Sequence, residues 1–455
     1  MGQRIELPEA FRERILREAG PDGAALLEAL AATEPVTGIR LNPRKPADTA
    51  ELLRDAVAVP WCEAAFTLPG RPEFTLDPLF HAGAYYVQDP SSAVHYTIVK
   101  RLTEDGRPVR VLDLCAAPGG KTTAALSALP EGSLLVANEV MPQRAAVLAE
   151  NTAKWGHPAT VVTSAPTDRF PLLGPLFDLI ILDAPCSGEG MMRKEPVAVS
   201  QWSGRLVEGC AALQREIAAD AIRALRPGGV LLYSTCTFSR QENEEMVRHF
   251  VEQYGMESLG LGLERYGVPR GWSDEYCYRF MPHLTRGEGL FVAALRLPGD
   301  APSAPLPKLG KRGKPLASKG LPQWLAGQES YTPIEAGGGV SMLAPGLAAA
   351  VERLQGARIR ILRAGVPLGT PKGRDFVPAP ELALSTALRP DAFPDVPLCR
   401  DEALRYLRRD AVTLPPSAPR GFVTASYGAL RLGFLKNIGN RANNLFPDRW
   451  KIKFK

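Results

Sequence analysis

Between residues 109 and 296, short apolar runs alternate with longer stretches whose apolar positions recur every three to four residues. The runs RVLDLC, SLLVANEV, TVVTS, FDLIILDAP, GVLLYSTC and LFVAALRL predict strands, and 121–129, 143–155, 206–225 and 240–254 carry the helical period. Strands this uniformly apolar, separated by helices, predict a parallel sheet covered on both faces. Such a sheet binds its ligand beyond the C-terminal ends of its strands, near the switch point. The residues that end each strand are therefore the first candidates for chemistry.

The flanks have a different rhythm. Residues 7–19 and 23–32 have helical periodicity, followed by TGIRLNP and a mixed segment to about 80, which predicts a small α/β domain over 1–82. The catalytic candidate follows at 83–297. LPGDAPSAPLPKLGKRGKP has no apolar period and is rich in proline and glycine, so 298–321 reads as a basic linker. In 322–455, ARIRILRAG and GFVTASYG predict strands and 400–409 a helix, and the alternation in KIKFK predicts a half-exposed strand. This last region is expected to be β-rich and to contact RNA.

The chain has 455 residues, enough for several domains, and its 45% hydrophobic content is ordinary for globular protein. No apolar run approaches the ~20 residues of a membrane span and the N-terminus lacks a signal-peptide core, so a cytoplasmic protein without a membrane partner is expected. The net charge is only +5, but it is unevenly placed. Lys308, Lys311, Arg312, Lys314 and Lys319 stand without an acid between 301 and 319. From 421 onward Arg431, Lys436, Arg441, Arg449, Lys451, Lys453 and Lys455 face the single Asp448, interleaved with Phe434, Phe446, Trp450 and Phe454. Solvated charge explains many such runs, yet bases among aromatics fit a polyanionic partner.

The seven cysteines are odd in number and show no CxxC or Cys/His ligand spacing, which argues against a disulfide framework and a zinc site. Cys62, Cys210, Cys277 and Cys399 are expected to be buried as small hydrophobes. Cys186 and Cys236 differ, because each follows a strand at the ligand edge, where a thiol can be activated. The turn in VLDLCAAPGGKT is not a Walker A loop, since Cys115 stands where its first glycine belongs, and no GxGxxG is present. A strand, a glycine turn and a helix start remain, with Asp113 on the strand and Glu139 at the end of the next. Those acids favour a nucleoside ligand, Glu139 being placed to accept from ribose hydroxyls.

DLCAAPGGKT, DAPCSGEGMMRK and YSTCTFSRQENE closely resemble, in order and spacing, the signature motifs of the Sun-type RNA cytosine-5 methyltransferases. The resemblance extends to GIRLNP, YYVQDPSS and PHLTRGEGLF, and NIGNRANNLFP resembles the PUA-like domain of a subgroup acting on 16S ribosomal RNA. It implies an α/β fold: a Rossmann-like seven-stranded S-adenosylmethionine-dependent methyltransferase domain, a small α/β N-terminal domain and a C-terminal PUA-like β-rich domain. It implies S-adenosyl-L-methionine held by Cys115, Ala116, Ala117, Pro118, Gly119, Gly120 and Lys121, with Glu139 on the ribose, Arg144 nearby and Asp183 between cofactor and base. It further implies Cys236 as nucleophile, Cys186 as the residue that resolves the adduct, and a monomer acting on 16S ribosomal RNA or the small ribosomal subunit. The residues alone leave the order of the two thiols open, since DNA cytosine methyltransferases attack with a Pro-Cys cysteine. Transfer RNA as substrate, or an assembly factor that keeps the fold without catalysis, are the alternatives.

Further expectations concern the surroundings. Many relatives carry an acid after the third strand, near the adenine, but here the stretch is VVTSAPTD and Asp168 lies further along. Tyr85, Tyr86 and Gln88 are candidates to support cofactor or base, with core packing as the other reading. Arg193 and Lys194 are candidates for RNA phosphate, or solvated loop charges.

Overall fold

The computed structural model describes residues 4–299, 316, 318, 320–373 and 375–453. The basic stretch Lys308 to Lys314 with Lys319, and the final Phe454 and Lys455, lie outside them.

The central sheet is built from β1 (Arg110–Asp113), β2 (Leu134–Asn138), β3 (Thr160–Ser164), β4 (Phe177–Asp183), β5 (Leu225–Thr235), β6 (Glu257–Ser258) and β7 (Leu290–Arg296). Helices α1 (Gly120–Ala128), α2 (Pro142–Trp155), α3 (Gly204–Ala224) and α4 (Glu244–Tyr254) connect them. Strands run in the order β6-β7-β5-β4-β1-β2-β3, with β1 to β5 parallel and β7 antiparallel between β5 and β6. This is the expected seven-stranded Rossmann-like arrangement. Its switch point lies between β1 and β4, where the chain direction of the winding reverses.

Apolar side chains on the two faces of the sheet pack into separate layers, as strands buried on both sides require. Ile217, Ala221, Met246 and Phe250 from α3 and α4 cover one face. Ala124 and Leu126 of α1, Leu148 of α2 and the helix Val94–Leu102 cover the other.

Two strands extend this sheet. Tyr278–Phe280 pairs with β7, and Arg360–Ala364, the strand expected in ARIRILRAG, runs antiparallel along β3. The helix Leu347–Gly356 buries Leu347, Val351 and Leu354 in the same apolar layer as Phe170 and Leu173. The segment beyond the basic stretch thus completes the catalytic sheet before the chain continues.

The N-terminal region places the helices Glu9–Glu18 and Gly23–Ala32 ahead of a four-stranded sheet, ordered Val57–Val59, Cys62–Leu68, Thr37–Leu41, Tyr85–Val87. The C-terminal region holds two further four-stranded sheets, the second containing Gly421–Tyr427 and Leu430–Asn437. KIKFK departs from expectation: Lys451 to Lys453 belong to no strand. Ile452 is buried there with Trp450 and donates its N–H to the Leu407 carbonyl at 3.1 Å, which anchors the segment outside any strand ladder. Phe434, Phe446 and Trp450 are core residues too, which corrects the reading of them as aromatics facing a polyanion. Among the described residues, no helix is long and apolar enough to cross a membrane.

Candidate active site

Parallel register brings Asp113, Asp183 and Ser234 to one edge: Asp113 lies opposite Ile181, and Asp183 opposite Ser234. From β1 the chain turns through Cys115 to Gly120 into α1. Gly119 has φ 114, a conformation open to glycine, and α1 starts at the next residue. Beyond this edge is a cavity of about 300 Å³, lined by Tyr86, Gln88, Cys115 to Pro118 and Gly120 together with Asp89, Lys194, Cys236 and Glu288. Asp113, Lys121 and Asp183 also face it.

Asp183 is the hub. Its Oδ2 accepts from Lys121 Nζ at 2.7 Å and its Oδ1 from Ser234 Oγ at 2.9 Å. Ser234 Oγ also lies 3.3 Å from His95 Nε2, while His95 Nδ1 faces the Ser92 carbonyl at 3.0 Å and so carries the ring proton. Burial, with Lys121 nearby, pushes His95 down to about 3, which keeps the imidazole neutral. Burial also works against the charge of Lys121, but the Asp183 carboxylate outweighs it and holds the ammonium above its ordinary range. The pair therefore presents an ammonium and a carboxyl group to the cavity.

The two cysteines meet. Cys186 Sγ and Cys236 Sγ are 3.3 Å apart, although they leave different strands. The contact with Cys236 and burial push the Cys186 thiol well up, so Cys186 keeps its proton and can donate it toward the other sulfur. Gly190 packs on the Cys236 loop, donating its N–H to the Cys236 carbonyl at 2.8 Å. A Cβ there would lie 2.9 Å from that oxygen, so only glycine allows the approach.

The remaining candidates separate into groups. Glu139 accepts from Met141 N at 2.9 Å and pairs with Arg144 at 3.2 Å, and Arg144 donates to the Ala117 carbonyl at 2.9 Å. This pair is tied to the loop through the Ala117 carbonyl. Tyr86 donates to the Pro118 carbonyl, while Tyr85 is buried in the N-terminal core and donates to Asp77. Asp168 is exposed beside Arg169 and does not line the cavity. Arg193 is not an RNA-facing charge: it is buried and donates to Glu288, Thr33 and the Gly287 carbonyl. Lys194 does line the cavity, 3.4 Å from Glu288 and 3.9 Å from Asp89. Cys62 and Cys277 are buried as expected, but Cys210 is only half-buried and Cys399 is exposed at a helix start.

Sequence reading missed Asp89 and Glu288, which line the cavity from outside the strand-end motifs, and His95, which meets Ser234. Two buried polar atoms of the site have no protein partner, Asp113 Oδ1 and Gln88 Nε2. An unpaired acceptor and an unpaired donor facing the same cavity fit a ligand carrying both an amine and acceptor groups, as S-adenosylmethionine does. Burial, opposed by the Thr122 hydroxyl and reinforced by Asp183, pushes Asp113 up to about 7, and a cationic ligand group would relieve this. Among the described residues, no group of three or more His, Cys, Asp or Glu could hold a metal ion.

Known proteins resemble the chain along nearly its whole length. The family described as 16S rRNA methyltransferase RsmB/F matches residues 101–296, the N-terminal domain of 16S rRNA methyltransferase RsmF matches 7–90, and the methyltransferase RsmF PUA domain matches 393–452. Ribosomal RNA small subunit methyltransferase F of Salmonella paratyphi A is 32% identical over 97% of this chain and 96% of its own, and that of Salmonella typhi is 33% identical over the same shares. A methyltransferase homolog protein from Pyrococcus horikoshii superposes with a TM-score of 0.55 at 26% identity, over 64% of this chain and 95% of that one. NSun6 from Pyrococcus horikoshii with SFG gives 0.54 at 22% identity over 64% and 99%, a likeness of fold. With near-complete coverage in both directions and three matching regions in order, the chain belongs to the 16S rRNA methyltransferase RsmB/F family.

Proposed function

We propose that this enzyme methylates C5 of a cytosine in 16S small-subunit ribosomal RNA with S-adenosylmethionine, as a cytoplasmic monomer. Family membership supports the reaction and the RNA class. The observation that carries the site assignment is the 3.3 Å contact of Cys186 with Cys236 beside the Lys121–Asp183 pair. The proposed division is 1–82, 83–297, 298–321 and 322–455, with RNA recognition at both ends.

When bound, S-adenosylmethionine supplies an electrophilic methyl group. The Cys115–Lys121 loop, Glu139, Arg144 and Asp183 hold it, with Asp113 Oδ1 and Gln88 Nε2 offering their unpaired acceptor and donor. C5 of cytosine is a poor nucleophile, so Cys236 adds its thiolate to C6, forming a sulfur–carbon bond and turning the ring into an enamine. Asp183, which faces the cavity, is the acid group in this reading, stabilising the charge that develops at N3. After methylation a base removes the C5 proton, the ring electrons reform the double bond, and the Cys236 sulfur leaves. Cys186, in contact with that sulfur and protonated, assists this release. The target base must be unstacked, since C6 is inaccessible within a helix.

Denaturing electrophoresis of variants with substrate RNA tests the assignment. Cys236→Ser is expected to abolish turnover without an adduct, and Cys186→Ala to accumulate a covalent enzyme–RNA complex. Trapping by Cys236→Ala in place of Cys186→Ala would reverse the two roles.

A further inference from the structure

Behind the two thiols sits a carboxylate that the methyl-transfer chemistry does not use. Glu242 is fully buried, and its side chain lies between the loop that carries Cys186 and the loop that carries Cys236. Its Oε1 accepts from the Ser187 backbone N–H at 2.8 Å and from Gln214 Nε2 at 3.2 Å. Its Oε2 accepts from Ser187 Oγ at 2.6 Å and Thr237 Oγ1 at 3.2 Å, and these two hydroxyls are 2.8 Å from each other. Ser187 directly follows Cys186 and Thr237 directly follows Cys236. Gln214 also donates to the Pro185 carbonyl at 2.9 Å, and the Tyr233 hydroxyl donates to the Glu242 carbonyl at 2.7 Å. Glu242 thus joins the residue after Cys186 to the residue after Cys236, and through Gln214 reaches the residue before Cys186 as well.

A buried carboxylate is expensive to keep, and here burial pushes Glu242 up to about 7 against the four donors. An apolar side chain would fill the same space without that penalty, but it would leave the two loops joined by the single Ser187–Thr237 hydroxyl contact, by Phe238 N–H on Glu189 Oε2 and by the Gly190–Cys236 backbone bond, with no group bonded to both hydroxyls at once. The strands end at different residues and the loops have independent turns, so nothing in the sheet register itself sets the distance between the sulfurs.

We infer that Glu242 is a positioning residue for the thiol pair: its carboxylate clamps Ser187 to Thr237 and so fixes Cys186 Sγ against Cys236 Sγ. The consequence for catalysis rests on the assignment of attack to Cys236 and release to Cys186. With the clamp gone, Cys236 still meets the base, because its strand and the Gly190 contact hold it, but Cys186 no longer arrives beside the leaving sulfur.

Two readouts on the full chain separate the clamp from that assignment. The first is the rate at which diamide forms the Cys186–Cys236 bond, measured by peptide mass mapping. In this reaction the two thiols lose two electrons and two protons, the disulfide forms, and diamide is reduced to its hydrazine. The second is the adduct that survives denaturing electrophoresis, read beside the KM for S-adenosylmethionine. Glu242→Ala is expected to slow disulfide formation at least tenfold, lower kcat at least tenfold, leave that KM within twofold and accumulate adduct. Glu242→Asp keeps the charge but is one methylene too short to span both loops, and should lose as much. If Glu242→Ala does not fold, the Ser187→Ala/Thr237→Val double variant, which removes both hydroxyls, carries the same expectation. Unchanged disulfide formation in a folded variant overturns the clamp, whatever the thiols do. Slowed disulfide formation without adduct supports the clamp and overturns the assignment of release to Cys186.

Discussion

Asp113 shows how one residue can be tuned for a ligand at the expense of the fold. Its Oδ2 accepts from Thr122 Oγ1 at 2.6 Å, while its Oδ1 is buried without a partner. Burial raises its carboxyl to about 7, so between roughly pH 4 and 7 the folded protein holds a proton that the unfolded chain has released. Stability therefore falls as pH rises across that window, and Glu242, also raised to about 7, adds to the fall. Asp113→Asn is expected to flatten part of this decline in urea melts at pH 5 and pH 7.5, with stability at pH 7.5 equal to or above the wild type. The same variant should bind S-adenosylmethionine at least tenfold more weakly by calorimetry, since a charged acceptor for the ligand is lost. A variant that binds normally would remove Asp113 from the site. The thiols, Asp183 and the glycine turn were legible in the sequence because they stand at strand ends, where the alternating pattern itself points. Asp89, Glu242 and Glu288 were not, because a carboxylate in QDP, QEN or GEG carries no local sign of the cavity or loop it will meet. Lys121 was legible as part of the loop but not as the partner of Asp183, which only parallel pairing of β1 and β4 brings near.

The same division holds at the scale of elements. Strands β1 to β5 and β7 of the central sheet were announced by their apolar runs, whereas the two-residue β6 was not, and helix limits differ by a few residues at most, as with 204–224 against the expected 206–225. What periodicity could not show is which sheet a strand joins. Arg360–Ala364 has a strand's composition, but its place on β3 depends on the long path through the preceding helix. Leu354 of that helix is fully buried against the catalytic layer, so Leu354→Ala should lower unfolding stability by roughly 2–5 kcal/mol. A loss under about 1 kcal/mol in denaturant melts would show that the helix is not part of that core. The C-terminal elements revise the expected route to RNA in a similar way. Phe434 and Trp450 hold the domain together, so removing the segment from 421 would unfold it rather than report on RNA. Charge reversal at the exposed Arg441, Lys451 and Lys453 is the cleaner probe. Each lost phosphate contact should reduce the slope of log affinity against log salt by about 0.7 for single-stranded RNA, with cofactor binding unchanged. An unaltered salt slope would place the RNA contact elsewhere.

At the scale of the whole molecule, three regions converge on the end of α2. Asn42 Nδ2 donates to the Trp155 carbonyl at 3.1 Å, Thr386 N donates to the Gly156 carbonyl at 3.0 Å, and Gly156, at φ 82, leaves no room for a Cβ beside the Leu384 carbonyl. Lys45 lies at the centre of this junction, its Nζ donating to the Ala82 carbonyl at 2.9 Å and to the Lys154 carbonyl at 2.5 Å. Among the described residues no carboxylate hydrogen-bonds to it, and burial pushes its amine down to about 7. A neutral amine has two N–H donors, matching the two carbonyls, whereas an ammonium would bury a charge with nothing to balance it. The linkage then has a definite sign. Between about pH 7 and 10.4 the unfolded chain binds a proton at Lys45 that the folded chain does not, so this residue makes stability rise with pH across the window. Buried thiols such as Cys277, raised to about 11, act in the opposite direction above about pH 8.5, so the test must compare variant with wild type rather than follow one curve. Lys45→Met removes the titration and both hydrogen bonds. The stability gap between wild type and variant in urea melts is expected to widen from pH 7 to pH 9. A gap independent of pH would mean that Lys45 keeps its proton in the folded junction and donates to the two carbonyls as an ammonium.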